Sequence, residues 1–142
     1  MENIYFISGH LDLTEKEFNE HYVSKIQNAI LTNSLFIVGD AKGADSFAQK
    51  YLMGNILDKT KVMVYHMFDE PRNNYGNFKT IGGFKSDDER DDKMTNDSNY
   101  DILWVRSAEE QRKKLGKKYN PSYINGTTKN ILRREKLWIG LR

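Results

Sequence analysis

Short apolar runs alternate along the chain with longer stretches of helical periodicity. Ile4-Tyr5-Phe6-Ile7 stops at Ser8-Gly9 and predicts a buried strand followed by a turn. Thr14 with Glu17 three residues on forms a capping box. Phe18, Tyr22, Ile26 and Ile30 then recur at helical spacing, predicting one helix to about Leu31. Leu35 to Val38 predicts a second strand, closed by Gly39-Asp40. Beyond Lys42-Gly43, the residues Ala44, Phe47, Ala48, Tyr51 and Leu52 share one face of a helix reaching about Met53. Val62 to Tyr65 predicts a third strand. From Met67 to Lys85 the pattern dissolves into a long loop of the kind that is usually functional or mobile in a compact domain.

Ser86, followed by Asp87, Asp88 and Glu89, predicts a helix start, since acids are favoured there, and the helix would run to about Thr95. Tyr100 to Val105 is apolar on both faces, as a parallel strand covered on each side should be. Residues 107 to 123 are charged, helical at first, then a loop from Gly116 past Pro121. Asn125-Gly126-Thr127-Thr128 opens a last helix to about Glu135, and Leu137 to Leu141 suits a fifth strand. This order predicts a single-domain α/β protein over residues 1–142, with an open parallel sheet of about five strands and helices on both faces. In such sheets ligands sit beyond the carboxyl ends of the strands, which directs attention to four turns.

Composition narrows the chemistry. With 38% hydrophobic residues and two prolines in 142 residues, the chain has enough apolar side chains for one core. It contains no cysteine, which excludes a disulfide, a thiolate zinc site and a cysteine nucleophile and fits a reducing cytoplasm. No apolar run approaches the roughly 20 residues that span a bilayer, so no membrane association is expected. His10, His21 and His66 lack metal-ligand spacing, so neither metal nor cofactor is expected. The net charge of +2 conceals a split. Residues 1–106 hold 12 Lys and Arg against 17 Asp and Glu, whereas residues 107–142 hold 10 against 3. The basic stretch from Arg112 to Lys118 suits a solvated or phosphate-facing loop and carries no nucleic-acid motif, so nucleic acid is a disfavoured partner.

At the strand ends, Ser8-Gly9-His10 can turn backbone amides toward an anion, with His10 read as a surface or capping residue. Gly39-Asp40-Ala41-Lys42-Gly43-Ala44-Asp45 joins a strand to a helix through a tight turn with Lys42 at its tip. Asp45 can bond amides of the first helical turn or a ribose hydroxyl. The turn is neither a Walker A loop nor a full GxGxxG, which disfavours ATP hydrolysis and a standard dinucleotide fingerprint. Arg90 offers a planar, always charged fork, and Gly126, Thr127 and Thr128 offer amides and hydroxyls at a helix start. Met94 and Trp104 are expected in the core.

The segment GDAKGADSFAQKY resembles the glycine-rich turn of the SLOG superfamily of small Rossmann-like proteins. That superfamily includes LOG-type nucleoside monophosphate phosphoribohydrolases, the DNA-processing protein DprA and sensors of nucleotide or ADP-ribose-derived signals. Arg90 and Met94 in ERDDKM, the strand from Tyr100 to Val105, and Asn125 to Asn130 are similar to further motifs of that superfamily, in the same order, over about residues 4 to 135. The resemblance implies a Rossmann-like fold that binds a nucleotide or ADP-ribose-type molecule through Ser8, Gly9, Gly39, Asp40, Lys42, Gly43, Asp45, Arg90, Gly126, Thr127, Thr128 and Asn130. It also implies a homodimer formed through helices, which an exposed Tyr51 would suit. Asn130 stands where the phosphoribohydrolases carry a glutamate, and an amide cannot act as a general base. A non-catalytic sensor or sequestering protein is therefore expected. The alternatives are an N-glycosidase using Arg90 with Asp40 or a neighbouring acid, and a nucleic-acid-binding module.

Overall fold

The computed structural model describes residues 2–140. Its sheet contains five parallel strands, β1 (Ile4–Ile7), β2 (Leu35–Gly39), β3 (Val62–Met67), β4 (Lys79–Phe84) and β5 (Tyr100–Ile102), in the order β4-β3-β2-β1-β5. The chain steps outward from β1 to β4 and then crosses back to place β5 on the other side of β1. The predicted α/β parallel sheet is therefore present, and the fold is Rossmann-like.

Strand alternation divides the apolar residues between two layers. Ile7, Val38, Val62 and Val64 face α1 (Glu15–His21), α2 (Val23–Leu31) and α3 (Ala44–Asn55), packing with Phe18, Ile26, Ala48 and Leu52. Phe6, Ile37 and Tyr65 point the other way and pack on Met94 of α4 (Asp87–Asn96). The last two helices are α5 (Ala108–Leu115) and α6 (Gly126–Gly140), and α6 lies alongside α4 and β5. Because parallel strands need their backbone groups and both faces shielded, such two-sided packing is the expected solution.

Four stretches differ from the sequence expectation. β4, Lys79–Phe84, lies within the stretch read as loop. It is an edge strand with little apolar content, and its first five residues are exposed, so the hydrophobic pattern cannot reveal it. Gly82 lets the buried His66 ring of β3 lie flat against it, because a Cβ there would collide with the imidazole. Residues 137–140, read as strand, continue α6 instead, since no breaker separates Glu135 from Leu137. Leu141 lies outside the described residues. The single helix expected from Thr14 to Leu31 is two, with the break at Tyr22. The side chain of Tyr22 is buried, and its hydroxyl donates to the Ser8 carbonyl at 2.7 Å and accepts from the Trp104 amide at 3.1 Å. That pair of bonds ties the ends of β1 and β5 to the junction of the two helices.

The strand expected at Tyr100–Val105 pairs only as far as Ile102. Met94 is fully buried, and Trp104 is half-buried against the larger core. Tyr51 is half-buried beside Phe18 rather than exposed, with ring centroids 6.2 Å apart.

Candidate functional site

A cavity of about 540 Å³ opens at the carboxyl edge of the sheet, between the turns after β1 and β2 and the starts of α4 and α6. Its position follows from topology. The chain leaves β2 to one side of β1 and reaches β5 on the other, so the segments beyond these strands diverge and leave a crevice.

Ser8, Gly9 and His10 line it from β1. Ser8 Oγ is sealed from solvent without any hydrogen-bond partner among the described residues. His10 is buried rather than at the surface, and its Nε2 accepts from the Arg106 amide at 3.0 Å, which places its proton on Nδ1. Burial, followed by the charge of Arg106, lowers its pKa and keeps the ring neutral.

Gly39 and Asp45 line the cavity from the second turn. Gly43 stands at φ +74°, and a Cβ would strike the carbonyls of His10 and Leu11, so only glycine lets the β2–α3 turn close on the β1 turn. This contact carries Asp45 inward. Asp45 Oδ2 accepts from the Ala41 amide at 3.1 Å, the one hydrogen bond its carboxyl makes among the described residues. Burial pushes the Asp45 carboxyl up to about 7, against the pull of Arg90. Asp45 and Thr127 are both buried, so neither lies on an exposed turn.

Asp40 and Lys42 stand outside the lining. The Asp40 carboxylate accepts from the Arg72 amide, Nε and Nη2 at 2.8, 3.1 and 2.8 Å, and from Arg90 Nη1 at 2.9 Å. Burial alone would raise its pKa, but the Arg72 hydrogen bonds and both guanidinium charges outweigh that and hold it below the usual carboxylate range. With four donors on two oxygens, it has little capacity left to act as a base. Lys42 is exposed. Gly43 shapes the turn without facing the cavity.

Arg90 lines the cavity but is already engaged by carboxylates. Its Nε and Nη2 donate to Asp91 Oδ1 at 3.1 and 3.0 Å, and Asp87 lies 3.4 Å from Nη1. Asp91 Oδ2 accepts from Asn130 Nδ2 at 3.2 Å, and Asn130 Oδ1 accepts from Arg133 at 2.6 Å. Asn130 is therefore a buried link between α4 and α6 with its amide occupied on both sides. At the start of α6, the Asn125 side chain caps the Thr128 amide at 2.8 Å. Gly126 and Thr127 face the cavity, while Thr128 faces a neighbouring hollow.

Sequence reasoning missed Arg106. Arg106 is buried just beyond β5, with Nε and Nη2 on Glu17 at 2.8 Å each and Nη1 on Asp12 at 2.7 Å. Those bonds hold Glu17 down to about 2. The available signal was a charged residue directly after the apolar run Ile102 to Val105. Around the cavity Asp12, Asp45, Asp87, Asp88 and Asp91 outnumber Arg90 and Lys129. The wall therefore suits hydroxyl or amino donors, while the first amides of α6 and the β1 turn suit an acceptor or anion.

Among the described residues, no group of three or more His, Cys, Asp or Glu is placed to hold a metal ion, and no helix is long and apolar enough to cross a membrane. These features define a Rossmann-like α/β domain with a polar cleft at the carboxyl edge of its sheet. Neither a family model, nor a characterised protein, nor a solved structure matches the chain.

Proposed function

We propose that this cleft binds a nucleotide or ADP-ribose-type small molecule and that the protein acts as a sensor or sequestering protein for it. The observation that carries the reading is the meeting, in one cavity, of the start of a 15-residue helix and Ser8, whose hydroxyl is unpartnered among the described residues, with Asp45, whose carboxyl bonds only the Ala41 amide. A phosphate fits against the former, where the helix dipole and donor groups favour negative charge. Ribose hydroxyls, which need an acceptor, fit the latter. Arg90 organises the wall through Asp40 and Asp91 and is a weaker phosphate clamp than its lone guanidinium would be, since its charge is already matched.

Mass spectrometry of small molecules released from the purified, denatured protein tests this directly. Calorimetry with adenine nucleotides and ADP-ribose should then show affinity that Thr127→Ala weakens, and recovery of no nucleotide together with no calorimetric binding would reject the reading.

A second reading, N-glycosidase action, is favoured by one feature. A cavity carboxyl whose pKa is pushed up to about 7 can donate and accept a proton near neutral pH. In that case Asp45, rather than the saturated Asp40, would serve as acid or base. Release of free base from nucleoside monophosphates or NAD with turnover, abolished in Asp45→Asn while binding persists, would establish the enzyme over the binder.

A further inference from the structure

A second hollow of about 460 Å³ adjoins the first. Gln111, Leu115, Tyr123 and Asn125 line both, so the two hollows meet along these residues as neighbouring lobes. The lobes differ in chemistry. The first is rich in carboxylates, whereas the second is lined by half-buried Tyr119 and by Lys118. The start of α6 is divided between them, with Gly126 and Thr127 toward the first lobe and Thr128 toward the second. The positive end of the helix therefore stands where the lobes meet, and Ser8, whose buried hydroxyl is unpartnered among the described residues, lines the first lobe.

We infer that the ligand is a dinucleotide, two nucleosides bridged by phosphates. The phosphates lie at the α6 start, one ribose meets Asp45 in the first lobe, and the second base stacks on Tyr119 in the other. This rests on the nucleotide reading above and narrows it. A mononucleotide in the first lobe would leave Tyr119, which lines only the second, unused. A single-stranded polynucleotide would need a track extending past both lobes, yet Arg112, Lys113 and Lys117 of the basic segment are exposed and line neither. Each lobe has the size of a small-molecule site, within the roughly 300–1,000 Å³ usual for such cavities. Aromatic stacking recognises any base, because every base presents a π-face.

The test is calorimetry of the full chain with AMP, diadenosine pyrophosphate and a series of oligodeoxyadenylates. The dinucleotide should bind about tenfold or more tightly than AMP, the scale of one added stacking contact. Tyr119→Ala, which alters only the second lobe, should cancel that gain and leave AMP affinity at the wild-type value. Tyr119→Phe should keep it. If Tyr119→Ala proves unfolded, Tyr119→Leu preserves apolar bulk while removing the aromatic face and should show the same loss. Equal affinity for AMP and the dinucleotide, or a gain that survives removal of the ring, overturns the inference and leaves the nucleotide reading intact. Affinity that climbs with oligonucleotide length overturns it in favour of a polynucleotide. Failure of both AMP and the dinucleotide to bind overturns both.

Discussion

Replacing Asp45 by asparagine should stabilise the protein, and by an amount that grows with pH. The carboxyl starts near 3.8 in an unfolded chain and is raised to about 7 in the fold, chiefly by burial, with Asp91 and Asp40 adding to the rise and Arg90 opposing it. Because the folded state holds this proton more tightly, the group costs nothing well below pH 3.8. The penalty builds as pH rises from there and levels off above about 7. Integrating the proton linkage between pH 5 and pH 8 gives about 2–3 kcal/mol of stability lost by the wild type over that interval. The substituted amide keeps an oxygen for the Ala41 N–H and carries no charge, so Asp45→Asn should not share that loss. Urea denaturation of both proteins at half-unit pH steps measures the gap, which should widen toward pH 8. A gap that stays constant within about 0.5 kcal/mol across the interval would refute the idea that the buried carboxyl resists ionisation. A destabilising acid that faces an open cavity is the pattern expected where ligand binding rather than folding sets the residue.

Three further outcomes are expected. Arg106→Met strands Glu17 and Asp12 without their partner and should cost about 2–4 kcal/mol at pH 7, measured by urea denaturation. That deficit should shrink below about pH 4.5, because Glu17, held down to about 2 by Arg106, contributes stability above its unfolded value that is lost as pH falls toward 2. Asn130→Glu drives a second carboxylate toward Asp91 in a buried site and should lower stability by about 2–4 kcal/mol, with partial recovery in acid, as read by thermal melts. Gly43→Ala forces a Cβ onto two carbonyls at positive φ and should cost more than about 1 kcal/mol in the same melts, while Gly54→Ala, in open space inside α3, should be neutral or stabilising.

Much of the fold was legible because burial leaves a periodic trace. β1, β2 and β3 are largely apolar on successive residues, and the Thr14–Glu17 box and Ser86 mark helix starts with residue types that bond exposed amides. β4 left no such trace. Lys79, Thr80 and Gly82 form a strand only because β3 offers unpaired backbone groups beside them, so their assignment depends on a neighbour remote in sequence. The end of α6 misled for the opposite reason, since Leu137, Trp138 and Ile139 read alike as strand or helix when the run is short.

The sequence by itself determined where chemistry could concentrate, since glycine, asparagine and charge gather at Ser8–His10, Gly39–Asp45 and Asn125–Asn130 beyond predicted strands. Which of those side chains is free was decided only by tertiary contact. Asp40 and Asp45 stand five residues apart on one turn, yet the first is saturated by Arg72 and Arg90 while the second is buried and bonds only the Ala41 amide. Arg90 pairs with Asp87 and Asp91 of its own helix, as local spacing allows, but also with Asp40 from fifty residues away, which local spacing does not reveal. The physical reason is that availability of a charged group depends on its partners and its access to water, and both are set by segments 30 to 50 residues away that local pattern does not encode.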